Sequence, residues 1–261
     1  MAEDGRVKVE RSDGVTEVTL DNPPLNLFDQ AMIEAVIGTI AELAADPPRA
    51  VLFRAEGDVV SGGVNVEEFR GLTGGQGREL WTRLMDQVIE PVETLPCPVV
   101  FSAHGLTLTA AFELALACDL LIAGESASFG LVEIVVGLTP SMGGPQRLAE
   151  RAGPARAAQL VMTGGLFDAR TLESWNVVNE VVPDGELDEH SRKLARRLAR
   201  GPTLAHAMTK RILRARARGG MEAADRVTRE EAGELFESED LIRAVDTFLE
   251  EGPGKARFEG R

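Results

Sequence analysis

Two glutamates lie in stretches of this chain that are otherwise apolar. Glu113 occurs in TLTAAFELALACDLLIAG and Glu133 in SFGLVEIVVGLTP, and each has an apolar residue directly on both sides. Apolar surroundings favour the neutral form of a carboxyl group, so its pKa rises toward the range useful for proton transfer. The pair therefore predicts a site that moves protons. Amphipathic elements that turn both side chains outward would explain the same spacing equally well, and that alternative stays open.

Three glycine-bearing segments precede predicted helices and could supply backbone hydrogen-bond donors. They are VVSGGVNVEEF at 59–69, HGLTLTAAFE at 104–113 and GLTPSMGGPQRL at 137–148. Amide groups exposed at such turns and helix starts can bind an oxyanion. In the first segment, Asn65 and Glu68 also have the spacing of a capping box. Each segment taken singly is a weak signal, because loops before helices commonly contain glycine.

The composition predicts a soluble globular protein. Hydrophobic residues make up 44% and charged residues 27% of the 261 positions, which are ordinary values. Every apolar run is interrupted before it reaches the length of a membrane span, and the opening MAEDGRVKVE lacks the apolar core of a signal peptide. Cys97 and Cys118 have apolar neighbours, which predicts reduced core thiols and a cytoplasmic location.

The formal net charge of −14 argues against a nucleic-acid-binding protein. The charge is uneven, however, because residues 191–220, here called the basic stretch, contain no Asp or Glu. A cationic region on an acidic protein suits a small polyanionic ligand. A solvated helix face that pairs with acidic neighbours is the alternative. The basic residues of this stretch are Arg192, Lys193, Arg196, Arg197, Arg200, Lys210, Arg211, Arg214, Arg216 and Arg218.

The order of predicted elements indicates an α/β fold. Strand-like Val7–Glu10 and Val15–Leu20 precede a helical pattern at Gln30–Ala45, and strand and helix patterns continue to alternate as far as about residue 186. Alternation of this kind predicts crossover connections. Beyond Leu187 the pattern is helical only. We therefore predict a core over residues 1–200 and a helical C-terminal region over residues 201–261.

Several other classes of site find no support in the sequence. The three histidines lack metal-ligand spacing with any Cys or acidic cluster, which predicts no metal site. A Gly-x-Ser-x-Gly elbow is absent, which argues against a serine hydrolase. The first strand is not followed by Gly-x-Gly-x-x-Gly, which argues against nucleotide-dependent redox chemistry.

The ordered set of motifs resembles the crotonase superfamily, also called the enoyl-CoA hydratase/isomerase family. The similarity runs over roughly residues 14–215 and begins with VTEVTLDNPPLNLFDQAM and SGGVNVEEF. It continues through PCPVVFSAHGLTLTAAFELALACDLLIAGESASFGLVEIVVGLTPSMGGPQRL, TGGLFDARTLESWNVVNEVVP and MTKRIL. The resemblance implies an α/β fold in which ββα units form a spiral, followed by a C-terminal helical trimerisation region. It also implies an acyl-CoA substrate, no metal or redox cofactor, no nucleic-acid or membrane partner, and a homotrimer or dimer of trimers.

The resemblance further implies roles for individual residues. Glu113 and Glu133 would hold a water and add it across the double bond of a 2-enoyl-CoA, giving a 3-hydroxyacyl-CoA. The backbone amides of Val64 and Ala110 would bind the thioester oxygen. Positions that would contact the substrate or its CoA are Gly63, Asn65, Ser141 and Lys210.

One departure from the family pattern affects the expected chemistry. Thr109, Ala110 and Ala111 stand where the family commonly has three glycines, which keeps the backbone amides but narrows the pocket. Retention of both glutamates favours an enoyl-CoA hydratase, a lyase, over the isomerase branch, which usually keeps an acidic residue only at the second position. A double-bond isomerase and a non-catalytic or specialised acyl-CoA binder remain the alternatives.

Overall fold

The computed structural model describes residues 5–261, so residues 1–4 of the predicted core and of the charged opening lie outside the described residues. The strands are β1 Val7–Ser12, β2 Val15–Leu20, β3 Ala50–Ala55, β4 Val99–Ala103, β5 Leu106–Leu108, β6 Leu120–Gly124, β7 Ser128–Gly130, β8 Phe167–Asp168 and β9 Glu180–Val182. The helices are α1 Gln30–Ala45, α2 Gly74–Leu84, α3 Glu90–Thr94, α4 Thr109–Ala117, α5 Gly144–Ala152, α6 Pro154–Thr163, α7 Ala169–Ser174, α8 Leu187–Ala199, α9 Thr203–Glu231 and α10 Glu239–Glu251.

The strands form two sheets. The larger sheet has the order β1-β2-β3-β4-β6-β9; the β1–β2 hairpin is antiparallel, and the later neighbours are parallel. The smaller sheet has the order β5-β7-β8, with β5 parallel to β7. Parallel neighbours joined through helices confirm the predicted α/β class.

Both faces of the larger sheet are covered, which explains the nearly continuous apolar character of its strands. Val51 and Phe53 of β3 pack into the main core with α1 and α4, whereas Leu52 packs on the opposite face with α8. Every residue of α4 is buried. A helix that is apolar all round can be buried on all sides, and this places its one charged residue, Glu113, inside the protein.

The local signals in the sequence explain several element boundaries. Helix α1 begins after Asp29, whose side chain accepts a hydrogen bond from the Met32 amide, and it ends before Pro47. The interval Arg78–Leu95, predicted as one helix, divides into α2, a π-helical turn at Met85–Ile89, and α3. Pro91 in α3 has no amide hydrogen to donate to the preceding turn. The helix before it therefore widens into π-helical hydrogen bonds, such as the one from the Glu90 amide to Met85 O.

Helical structure covers residues 203–237 and 239–251, and the division of the chain into residues 1–200 and 201–261 stays a prediction. Helix α9 is bent at Gly219 and Gly220, where the backbone leaves helical angles. Within residues 5–261, no helix combines the length and apolar character needed to cross a membrane.

Candidate active site

A cavity of about 320 Å³ brings the predicted glutamates together. Glu113 and Glu133 both line it, as do Val64 and Ala110. The remaining wall is largely apolar and comes from α1, the 3₁₀ turn Val66–Phe69, α2, the π-helical turn and the loop before α5. Its apolar residues include Phe69, Leu80, Trp81, Leu84, Val88 and Leu138. The structure therefore favours the inward arrangement of the two carboxyl groups over the outward alternative.

Glu113 is 2% exposed and is held by two backbone amides. Its Oε1 accepts hydrogen bonds from the Met142 amide at 2.9 Å and from the Gly144 amide at 2.7 Å. Gly144 is needed at this place because a Cβ atom there would lie 2.9 Å from Glu113 Oε1 and 2.9 Å from Leu131 Cδ1. The loop before α5 thus fixes the orientation of the Glu113 carboxyl group.

Glu133 begins the 3₁₀ turn Glu133–Val136, which follows β7. Its Oε2 is buried and accepts no hydrogen bond within the described part of the chain. A buried acceptor without a partner costs about 1–3 kcal/mol of stability. This oxygen lies in a group that lines the cavity, so it is available to a bound ligand.

The surroundings raise the pKa of both carboxyl groups. Burial is the main cause at Glu113 and raises its pKa to about 8; repulsion from Glu133 adds to the rise, and the amides of Gly144 and Met142 oppose it. Burial also raises the pKa of Glu133 to about 7. Both pKa values therefore lie near neutral pH. One carboxyl group can hold a proton while the other accepts one.

The two amides predicted to bind a thioester oxygen differ in their present partners. Ala110 is the second residue of α4, so its amide has no acceptor inside the helix and is available to the cavity. The Val64 amide instead donates to Thr109 Oγ1 at 3.1 Å. The Val64 amide is therefore already paired with the Thr109 hydroxyl.

Three other predicted substrate contacts lie in or beside the cavity wall. Gly63 precedes Val64 at a backbone φ of 106°, a turn that favours glycine. Asn65 caps the 3₁₀ turn Val66–Phe69 by accepting from the Glu67 amide, but its own amide donates to Phe28 O, so the predicted capping box with Glu68 does not form. Ser141 lines the cavity, and its hydroxyl donates to Thr139 O at 2.8 Å.

The structure does not bring Lys210 to the cavity. Its ammonium group is largely buried, lies 2.8 Å from an Asp119 carboxylate oxygen and donates to Cys97 O at 3.0 Å. These contacts hold α9 against the beginning of β4 and do not present a free cation to a CoA phosphate. Other cations of the basic stretch are also paired within the chain, which favours the alternative given above. The pairs are Arg192–Glu17, Arg211–Glu231, Arg214–Glu90, Arg216–Glu150 and Arg218–Glu90.

Sequence reasoning missed the supporting groups of the site more than its carboxyl groups. The role of the Met142 and Gly144 amides has only the double glycine before α5 as a signal. The engagement of Thr109 with Val64 was indicated only by a threonine in place of a family glycine. Asp119, the partner of Lys210, carries no local signal in the sequence.

The cysteine prediction is confirmed, since Cys97 and Cys118 are buried and unbridged. Burial raises the pKa of the Cys97 thiol to about 12 and that of Cys118 further still. Across the described residues 5–261, no group of three His, Cys, Asp or Glu side chains is arranged to hold a metal ion.

The raised pKa of Glu133 predicts a pH-dependent gain in stability on replacement by glutamine. The ordinary pKa is near 4.5 and the folded value about 7, so between these values the folded protein binds more protons and its free energy of unfolding falls as pH rises. Glu133→Gln removes this penalty. We expect its Tm, relative to wild type, to rise between pH 4.5 and pH 8.5 by about 6–12 °C, for an effect of about 3 kcal/mol.

Differential scanning calorimetry across this pH range measures the effect. Glu79→Gln is the matched control, because Glu79 is exposed on α2 and the same change of charge there removes no buried carboxylate. Equal pH profiles for the two variants would contradict a buried, destabilising charge at Glu133.

Solved enoyl-CoA hydratase structures match nearly the whole chain in fold, which defines the class as the crotonase fold. The sequence model of the enoyl-CoA hydratase/isomerase family matches residues 10–261, and the chain belongs to that family. It is therefore an enzyme of the crotonase superfamily. The predicted family and fold are both confirmed.

Individual relatives agree along nearly the whole chain. A Bacillus subtilis protein named "Probable enoyl-CoA hydratase" is 29% identical over 248 residues, covering 94% of this chain and 95% of its own length. The Clostridium acetobutylicum short-chain-enoyl-CoA hydratase is 28% identical over 257 residues, 97% of each chain. Among solved structures, an enoyl-CoA hydratase from Mycobacterium smegmatis has a TM-score of 0.88 and 27% identity over 98% of this chain and 99% of its own. One from Bacillus anthracis has a TM-score of 0.90 and 25% identity, with 98% and 100% covered.

Proposed function

We propose that this enzyme hydrates a 2-enoyl-CoA to the 3-hydroxyacyl-CoA. The observation that carries the proposal is the presence of Glu113 and Glu133 in one cavity, next to the Ala110 amide. Both family membership and the hydratase names of the relatives support it. The isomerase branch of the family usually retains only the second acidic residue, and this chain has both.

The chemistry follows from the positions of these groups. A thioester oxygen at the Ala110 amide would be polarised, which makes C3 of the conjugated double bond electrophilic. The ionised carboxyl group takes a proton from a water as the water oxygen bonds to C3. The protonated carboxyl group gives its proton to C2 as the double bond is lost. Two carboxyl groups with pKa values near neutrality suit this exchange because one can act as acid while the other acts as base.

The rest of the cavity suits the acyl part of such a substrate. Phe69 and Trp81 lie with ring centroids 5.7 Å apart, and Leu84 and Val88 extend the apolar wall. Burial of acyl methylenes there would contribute about 0.8 kcal/mol for each CH₂. Roles for Gly63, Asn65 and Ser141 in holding the thioester belong to the same proposal, whereas Lys210 could serve a CoA phosphate only after leaving Asp119.

Oligomerisation, location and cofactor use belong to the proposal as well. Exposed apolar side chains on the C-terminal helices support the expected homotrimer or dimer of trimers, since large apolar patches mark interaction surfaces. The unbridged cysteines support a cytoplasmic location. The proposed reaction needs no redox step, and the two carboxyl groups carry its protons without a metal. The exposed apolar residues are Leu213, Met221, Phe236, Ile242, Phe248 and Leu249.

Assays with positional isomers test the reaction. We expect the enzyme to remove the conjugated-thioester absorbance of a 2-enoyl-CoA such as crotonyl-CoA, with formation of the 3-hydroxy product, and to leave a 3-enoyl-CoA unchanged. Conversion of the 3-enoyl thioester without hydration would assign the isomerase alternative. Tight binding of both thioesters without turnover would assign the acyl-CoA binder.

A further inference from the structure

Thr109 has a backbone conformation that threonine rarely adopts. Its φ is 48°, in the left-handed region, and a β-branched residue there is an outlier. The residue is 6% exposed and is the first of α4, directly before Ala110. Strained backbone of this kind tends to occur at functional sites, where the surrounding structure maintains it.

The strained backbone places the Thr109 hydroxyl beside the Gly63–Val64 turn. Oγ1 accepts the Val64 amide hydrogen at 3.1 Å, and a Cβ added to Gly63 would lie only 2.7 Å from the same oxygen. Glycine at 63 and the conformation of Thr109 are therefore matched, since both are needed for the hydroxyl to reach this position. Thr109 and Val64 both line the cavity.

A threonine hydroxyl has one hydrogen to donate and two lone pairs to accept with. The Val64 amide uses a lone pair of Oγ1, and the described residues offer no acceptor for the hydroxyl hydrogen. That hydrogen remains available to a ligand in the cavity. A hydroxyl that accepts from an amide becomes a better donor, because hydrogen bonds in a chain polarise one another.

We propose that the Thr109 hydroxyl is a donor to the substrate's thioester oxygen. The thioester oxygen would then accept hydrogen bonds from the Thr109 hydroxyl and the Ala110 amide. The Val64 amide, which donates to Thr109 Oγ1, would polarise that hydroxyl. This inference rests on the proposed function, because it assigns a role toward the same thioester. It replaces a direct contact from Val64, the expected donor, with a contact relayed through a side chain.

Variants at position 109 show whether the Thr109 hydroxyl donates to the substrate or only blocks the Val64 amide. Thr109→Val keeps the shape and branching but removes the donor and leaves a methyl group over Val64, so we expect kcat/KM for 2-enoyl-CoA hydration to fall about 100-fold. Thr109→Ser keeps the hydroxyl and should recover most of the activity. Thr109→Gly exposes the Val64 amide directly and should fall between wild type and Thr109→Val.

Thr107→Val is the matched control. Thr107 lies two residues earlier in β5, is fully buried, and its Oγ1 has no hydrogen-bond partner within the described residues. Loss of that hydroxyl should leave turnover near that of wild type. Far-ultraviolet circular dichroism and thermal melts of each variant show that any loss of turnover occurs in folded protein.

A spectroscopic measurement tests polarisation independently of turnover. An aryl-substituted 2-enoyl-CoA absorbs at longer wavelength when its carbonyl is polarised, so binding to wild type and to Thr109→Ser should shift its absorption to the red. The shift should be largely lost in Thr109→Val and retained in Thr107→Val. An equal shift in wild type and Thr109→Val would overturn the proposed donor, as would a Thr109→Gly variant that is faster than wild type.

The two measurements also separate this inference from the proposed function. A Thr109-dependent shift in an enzyme that hydrates no 2-enoyl-CoA would retain the donor and reject the hydratase. If the enzyme hydrates 2-enoyl-CoA and Thr109→Val changes neither the turnover nor the absorption shift, the hydratase is retained. The role of the Thr109 hydroxyl as a donor is then rejected.

Discussion

Glu133→Gln is expected to lower kcat for 2-enoyl-CoA hydration by about 10²–10⁴-fold, the usual contribution of a positioned acid or base. Glutamine has nearly the same shape as glutamate but cannot exchange a proton near neutral pH. Glu133 Oε2 has no hydrogen-bond partner among the described residues, so no structural contact of that oxygen is lost. The loss should therefore appear in kcat, with little change in the affinity for the CoA thioester.

Steady-state kinetics together with the binding of a saturated acyl-CoA measure the two quantities separately. Glu79→Gln, on the exposed face of α2, controls for the loss of one negative charge. Hydration at the wild-type rate by Glu133→Gln would show that Glu133 is neither the acid nor the base of the reaction. The same variant should be the more stable protein above neutral pH, as derived above, so activity and stability are expected to change in opposite directions.

Glu113→Gln and Glu113→Ala are expected to differ in stability while both lose activity. The glutamine side-chain oxygen can still accept from the Met142 and Gly144 amides, which keeps both buried donors paired. Alanine leaves both donors without a partner, at about 1–3 kcal/mol each. We therefore expect Glu113→Ala to lose about 2–6 kcal/mol of unfolding free energy relative to Glu113→Gln, with kcat lowered about 10²–10⁴-fold in both.

Urea denaturation at pH 6 gives the stability difference, and the crotonyl-CoA assay gives the activities. Comparison between the two variants cancels the effect of removing the charge, which is common to both. Equal stabilities would show that the two amides find other partners, and a fully active Glu113→Gln would assign Glu113 to orientation alone.

Local patterns were sufficient for much of the fold. The predicted helix Gln30–Ala45 coincides with α1, and the strand Val15–Leu20 coincides with β2. In both cases spacing, capping and turn residues act within a few positions of each other. For Glu113 the sequence predicted burial but left its direction open. Helix α4 has no polar face to orient it, so only its packing within the core determines where the carboxyl group points.

The contacts that sequence reasoning missed join positions far apart in the chain. Lys210 meets Asp119, and Thr109 meets Val64, through packing of separate elements. A lysine in a cationic segment has the same local signal whether it faces a phosphate or a buried aspartate. The difference is set by the packing of α9 against the beginning of β4, and the local residue types and their spacing do not predict that packing.

The hydrogen bonds accepted by Glu113 also tie two helices together. Its carboxyl group belongs to α4, and the amides that it holds lie at the beginning of α5 and in the residues just before it. An ionised carboxylate accepts stronger hydrogen bonds than a neutral acid. Loss of the Glu113 proton therefore strengthens the hydrogen bonds between α4 and the start of α5, and gain of the proton weakens them. Under the proposed function, the proton that Glu113 exchanges in turnover also sets the strength of its hydrogen bonds to the Met142 and Gly144 amides.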